Sequence, residues 1–321
     1  MKTSSILGAF ATCCAATNAL DLSDLSLGTS SLVTRLRRAA LADNTTAPSG
    51  GSCPQVWYDI ARDLKTEFFG CNRQASDAIR FAFHDAAGYS SKNQPYAPAS
   101  GGADGSLLLA DSEIARSIND PLQGFRSFLL GKYNQYKSRG VGAADFVQAA
   151  GTIGTVSCPG GPSVKTVIGR SDTSNAAPEG TLPQAFGPGS SYDTLIQLWA
   201  DKGISPRELA ALMGAHSVSR AFAQRANGIL PGSPQDTTPR QWDVKYYSDT
   251  QAQNAPRGVS RFQSDVNLAN PATEAGQAFT EFAADKAAWA TAFQGAMYKL
   301  SILGLSDEAK QNLTDCTGIL G

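Results

Sequence analysis

The sequence predicts a mainly α fold in two helical halves. Apolar residues return at helical spacing in segment after segment, no stretch sustains strand-like alternation, and long Gly/Pro/Ser/Asn-rich tracts separate the segments. In chain order, a loose segment over 43–54 gives way to Val56, Ile60, Leu64 and Phe68, each four residues on, with Gly70 as the stop; this predicts a helix over about 54–69. The run from Ala75 to Ala87 has no breaker before Gly88, and its apolar residues fit one buried face of a second helix. Further helical patterns cover about 104–118, 121–136, 143–156, 192–202, 205–215, 274–284 and 286–303. The tracts at 88–103, 157–190, 227–242 and 250–273 are too long for idle connections and are expected to carry sites or ions. Composition shifts mildly near 158–190, where the two halves are expected to divide, and no internal repeat is visible.

With 321 residues, 42% hydrophobic and 17% charged, the chain can bury a sizeable core. Its formal charge of -1, without a long run of either sign, argues against nucleic-acid and membrane partners and suits a small or neutral substrate. Residues 1–19, with Lys2, an apolar run from Ile6 to Ala16 and small residues at Thr17 and Ala19, read as a signal peptide. The run is too short for a membrane anchor, which needs about 20 apolar residues. Arg37-Arg38 would close a propeptide over 20–38. A secreted, extracellular protein is therefore expected. Loss of Cys13 and Cys14 leaves Cys53, Cys71, Cys158 and Cys316, an even number that fits two disulfides in any of three pairings. Asn44 and Asn312 begin N-glycosylation acceptor triplets.

The chain has only two histidines, His84 and His216. Arg80 and His84 are four apart, so on a helix they share a face one turn apart and can converge on one small ligand, flanked by Phe81 and Phe83. A base and a fixed cation in an apolar pocket suit heterolysis of a peroxide bond. The imidazole takes a proton from the inner oxygen and returns it to the outer one, and the guanidinium stabilises the charge on the leaving oxygen. His216 ends an apolar, small-residue helix from Leu209 to Ala215, which lets a flat cofactor approach closely. A structural zinc site would need more His, or Cys not committed to disulfides.

Four runs stand in series: Arg80-Phe81-Ala82-Phe83-His84-Asp85-Ala86, Gly101-Gly102-Ala103-Asp104-Gly105-Ser106, Gly214-Ala215-His216-Ser217-Val218 and Asp236-Thr237-Thr238-Pro239-Arg240-Gln241-Trp242-Asp243. Together they resemble the class II fungal secreted haem peroxidases, over roughly 50–320. The resemblance implies a haem-dependent peroxidase fold at 39–321, its two halves (about 50–158, distal, and 159–321, proximal) sandwiching one haem b. It implies that His84 and Arg80 are the distal acid–base and electrostatic pair, that Phe83 packs on the haem and that Asn119 keeps His84 basic. His216 would be the axial iron ligand and Asp265 the proximal hydrogen-bond acceptor.

Two calcium ions are implied as well. One would take Asp85, the Gly102 carbonyl, Asp104 and Ser106; the other would take Ser217, Asp236, Thr238, the Gln241 carbonyl and Asp243. The resemblance pairs Cys53 with Cys316 and Cys71 with Cys158. Further bridges usual in the family are absent, one of their positions being Ala288.

Departures narrow the donor. The acids that bind manganese in relatives match Arg73, Asp77 and Phe222 here, and the surface tryptophan of lignin-oxidising relatives matches Ala211. Trp57, Trp199, Trp242 and Trp289 read as core, and none is nominated as a relay. The expected activity is reduction of hydrogen peroxide with one-electron oxidation of small phenolic or aromatic donors by a monomer. The alternatives are a calcium-stabilised haem-binding protein with little turnover, against which the intact Arg80/His84 pair argues, and a calcium-dependent adhesion module without haem.

Overall fold

The computed structural model describes residues 52–92, 101–222 and 225–321. The signal peptide, the 20–38 segment with Arg37-Arg38, and Asn44 lie outside the described residues. Helix α1 (Gln55–Glu67) buries the stripe Val56, Ile60 and Leu64 expected of it. Helix α2 (Arg73–Ala87) opens on Asn72, whose side chain accepts the Ala75 amide, and carries His84 in its last turn.

The single helix expected over 104–118 is instead two short turns, α3 (Ser106–Leu109) and α4 (Asp111–Ile114), followed by a 3-10 segment at Ser117–Leu122. The cause is local. Gly105 is left-handed at φ 75°, Ala110 is extended, and the buried Asp85 carboxylate draws in the amides of Gly105 and Leu107 at 3.2 Å each. Helix α5 (Gln123–Tyr136) leads to α6 (Ala143–Ser157), buried along almost its whole length. Glycine makes the α2–α6 crossing close: a Cβ on Gly151 would lie 2.6 Å from the Ala82 methyl.

Helix α7 (Tyr192–Asp201) is capped by Ser191, and α8 (Pro206–Met213) by a Ser205/Glu208 capping box with proline at its first position. The expected helix over 205–215 stops at Met213, and His216 lies on a 3-10 turn, Gly214–Ser217. The tyrosine at 247 explains this. Its hydroxyl donates to the carbonyls of Ala210 (2.9 Å) and Ala211 (3.2 Å), and the Gly214 amide bonds to the carbonyls of Ala211 and Leu212 instead of four residues back to Ala210.

A short helix, α9 (Lys245–Gln251), stands where none was expected, leading into the tract at 250–273, which hides another, α10 (Gln263–Leu268). Helices α11 (Glu274–Ala284) and α12 (Lys286–Ser301) follow as expected, then α13 (Asp307–Gln311). A small antiparallel pair joins β1 (Val167–Ile168) to β2 (Thr314–Asp315).

The apolar core is continuous from α1 to α12, across the expected divide. The tail crosses it too. Cys316 bonds Cys53, Cys71 bonds Cys158, and Lys65 donates to the Leu320 carbonyl at 2.7 Å. Both disulfide pairings are those the resemblance implies, and closing loops this long adds roughly 4–5 kcal/mol each in the chain-entropy account.

Candidate functional site

Helical geometry places Arg80 and His84 one turn apart, and the Arg80 Nε donates to His84 Nε2 at 3.3 Å. On the ring's other side, His84 Nδ1 donates to the Asn119 Oδ1 at 2.8 Å; this tautomer follows from the network, since the Asn119 amide is held by donating to the Glu113 carbonyl at 2.9 Å. Burial, reinforced by the Arg80 charge, holds His84 neutral, its pKa pushed down to about 3. Burial also lowers Arg80, to about 10, which leaves it charged at neutral pH. Phe83 stands edge-on to His84 and packs on Trp199, 5.5 Å from each.

His216 Nδ1 donates to the Asp265 Oδ2 at 2.7 Å, leaving Nε2 free. Asp265 is 1% exposed and steadied by the Ser264 hydroxyl at 3.0 Å. The rings of Tyr246 and Phe262 meet the imidazole edge-on at 5.6 and 5.8 Å.

Both histidines line one cavity of about 810 Å³, with Arg80, Phe83, Leu212, Met213, Phe262 and Leu268 among its walls. The size and mostly apolar walls suit a large flat cofactor. A haem fits this donor set: one histidine free at Nε2 and hydrogen-bonded behind by a carboxylate, and another kept neutral beside a cation.

The calcium expectation meets a similar test. Asp85 is 0% exposed, and burial lifts its pKa well above the ordinary carboxylate range; no cationic side chain among the described residues pairs with it. Asp104, with a pKa pushed up by burial to about 6, lies beside it, and its amide donates to the Gly102 carbonyl at 2.9 Å. The Asp104 Oδ2 and the Ser106 hydroxyl are buried with no hydrogen-bond partner among the described residues.

The second set repeats the pattern. Asp236 Oδ2 and the Thr238 hydroxyl are buried and unpartnered, and burial raises Asp236 to about 7. Ser217 is buried beside Asp236, Asp243 is half-buried, and Gln241 is exposed. Each orphaned oxygen costs about 1–3 kcal/mol unless something binds it. The buried oxygens without partners suit a hard cation, and any such site would draw on hydroxyl and carbonyl oxygens, since among the described residues no three His, Cys, Asp or Glu side chains converge.

Sequence reasoning missed Tyr246, Phe262 and Trp199 as ring neighbours of the site. It also missed Ser76, whose hydroxyl ties the distal helix to the Val218 carbonyl at 2.5 Å. Only Phe262, three residues before Asp265, carried a local signal. Of the three positions matched to manganese ligands, Arg73 pairs with Asp77 at 3.1 Å, and the Phe222 ring lies 4.5 Å under the Arg80 guanidinium. Ala211 is wholly buried, its carbonyl accepting the Trp289 indole N–H at 3.3 Å. Asn312 is exposed.

Residues 60–285 match the family model described as Peroxidase. The chain is 28% identical over 309 residues to a peroxidase of Arthromyces ramosus, covering 86% of this chain and 79% of that one. It is also 28% identical over 305 residues to manganese peroxidase 3 of Phlebia radiata (88% and 81% covered), and 27% identical over 307 residues to versatile peroxidase VPS1 of Pleurotus eryngii (88% and 78% covered).

Proposed function

The chain belongs to the peroxidase family, haem-dependent oxidoreductases that consume hydrogen peroxide, and on that premise we propose that His84 and Arg80 carry the peroxide step while His216, oriented by its hydrogen bond to Asp265, would hold the iron. The observation behind this reading is that two histidines with chemically different partners line one cavity. Bound haem would supply the redox chemistry.

His84 Nε2 takes a peroxide proton from one oxygen and delivers it to the other. Asn119 keeps the ring in the tautomer that leaves Nε2 basic, and Arg80 stabilises the charge developing on the departing oxygen. Phe83 walls the His84 side of the cavity, and Asp265 fixes the His216 ring, which would hold the iron and which the carboxylate would make a stronger electron donor.

Small phenolic or aromatic molecules are the proposed donors, oxidised in one-electron steps at the cavity mouth. Arg73 against Asp77, and Phe222 at the third position, support the reading that manganese is not held. Buried Ala211 supports the reading that no surface tryptophan relays electrons there. We further infer one haem and two calcium ions, held by the sets around Asp85 and Asp236, in a secreted monomer with glycans at Asn44 and Asn312. Among the described residues no helix is long and apolar enough to cross a membrane.

The test is a donor panel on the haem-loaded protein: a simple phenol, Mn(II) and a nonphenolic aromatic, each with hydrogen peroxide. Peroxide-dependent oxidation of the phenol alone is expected. Turnover of Mn(II) at a matching rate overturns the donor assignment, and no turnover of any donor overturns the roles given to His84 and Arg80.

A further inference from the structure

The Arg80 guanidinium makes no ion pair among the described residues, and its one hydrogen bond there runs from Nε to His84 at 3.3 Å. What faces it is a ring: the Phe222 centroid lies 4.5 Å from the guanidinium carbon. That ring comes from the His216 side of the cavity. Phe222 follows His216 by six residues and packs on Phe262 at 5.1 Å, which meets Phe186 at 5.7 Å and the His216 imidazole at 5.8 Å. This aromatic group fixes Phe222 in place, while Arg80 rides on α2. The same helix carries a competing partner. Asp77 lies three residues before Arg80, a neighbouring position on the helix surface. Asp77 pairs with Arg73 at 3.1 Å and is not among the residues that line the cavity, so a guanidinium turned toward it would leave the interior. Stacked on Phe222 the guanidinium stays inside, and its two terminal nitrogens, which hydrogen-bond nothing among the described residues, are free to meet an oxygen. An aliphatic side chain would fill the same space, but only a π face attracts a cation laid over it.

We propose that Phe222 is a positioning residue for the peroxide step: its ring face holds the Arg80 guanidinium inside the cavity, with the terminal N–H groups available to the departing oxygen. Phe222 moves no proton and no electron; it acts through Arg80. The ring thereby couples the two walls, since the segment that follows His216 sets where the cation of the His84 helix stands. The inference rests on the peroxidase reading of the cavity.

Graded fluorination of this one ring tests it. Position 222 of the full chain is filled in turn with phenylalanine and with phenylalanines bearing one, two and three ring fluorines, which stay close in shape but draw electron density from the ring face. Phe222→Leu completes the set. Two quantities are read on haem-loaded protein: the stopped-flow rate with hydrogen peroxide, and the affinity for fluoride, an anion the guanidinium would hydrogen-bond, by optical titration. Both are expected to fall stepwise with fluorine count at unchanged haem content, with Phe222→Leu roughly 2–30-fold below the wild type, the range that a cation–π contact spans. Fluorinated variants that match the wild type overturn the proposal. A loss in Phe222→Leu without a graded loss across the fluorinated set also overturns it, because packing alone then accounts for the ring. Should Phe222→Leu fail to take up haem, the fluorinated set, which keeps the ring, decides alone. A wild type that holds haem but does not react with peroxide removes the peroxidase reading and the proposal with it.

Discussion

The surroundings of His84 and of His216 differ in three respects that bear on chemistry. His84 sits within a regular helix, bonded through Nδ1 to the neutral amide of Asn119, with a guanidinium beside its other nitrogen. His216 sits on a 3-10 turn, bonded through Nδ1 to the buried carboxylate of Asp265, with aromatic edges around it. One ring is kept neutral, as the proposed base must be; the other is hydrogen-bonded to a carboxylate, as the proposed electron-donating ligand would be. On the proposed reading, the same side chain acquires opposite roles from the charge of its hydrogen-bond partner.

Removing the distal base is expected to have the largest effect. His84→Ala should slow the reaction with hydrogen peroxide by about 10²–10⁴-fold in stopped-flow measurements, with haem still bound; an unchanged rate would break the division of labour between the rings. Asp265→Asn makes the proximal partner as neutral as the distal one. Spectroelectrochemistry should show the iron easier to reduce, and peroxidase activity should fall about 10–100-fold.

The converse change sharpens the comparison. Asn119→Asp gives His84 an anionic partner and should raise its pKa from about 3 by roughly 1–3 units. The acid limb of the peroxide rate against pH should move up with it, and a stationary limb would show that the ring on this limb is not His84.

The smallest effect is on stability. Without a cation, the folded pKa values of Asp104 and Asp236 stand at about 6 and about 7, above those of the unfolded chain. Their contribution is therefore complete below the ordinary carboxylate pKa of about 4 and is lost as pH rises through 6 and 7. Melting temperature in chelator should fall across that window. Calcium binds the ionised form, so at a hundred times its Kd it should restore about 2.7 kcal/mol per site at neutral pH. Melting curves that coincide with and without calcium would remove both ions from the structure.

Much of the distal side was legible because its partners are local: Arg80 and His84 need only a helix, and Ala75 to Ala87 read as one. The proximal side was legible in residue type but not in shape. That α8 stops before His216 depends on Tyr247, which lies 31 positions beyond that histidine in the chain and takes two of the helix's carbonyls. The helices at 245–251 and 263–268 are too short for a periodic pattern to stand out among Ser, Gln, Asn and Pro. The two turns within 104–118 follow in part from the Asp85 carboxyl oxygens, some twenty residues upstream, which accept the Gly105 and Leu107 amides. Cation sets built on hydroxyls and carbonyls look like ordinary turns until their oxygens are seen to be buried without partners.

The bond between Cys53 and Cys316 also orders events in time. The helix that carries His84 packs against α12, and the first helix is fastened to the tail by that bond and by Lys65. A ribosome makes the distal wall early, but the pieces that brace it emerge last. The pocket is thus completed only when almost the whole chain is available, and contacts this distant in sequence make folding slow. Cofactor capture would then be a late step, after oxidation has joined the two ends, and a reducing environment would yield chains that hold both histidines yet retain haem poorly.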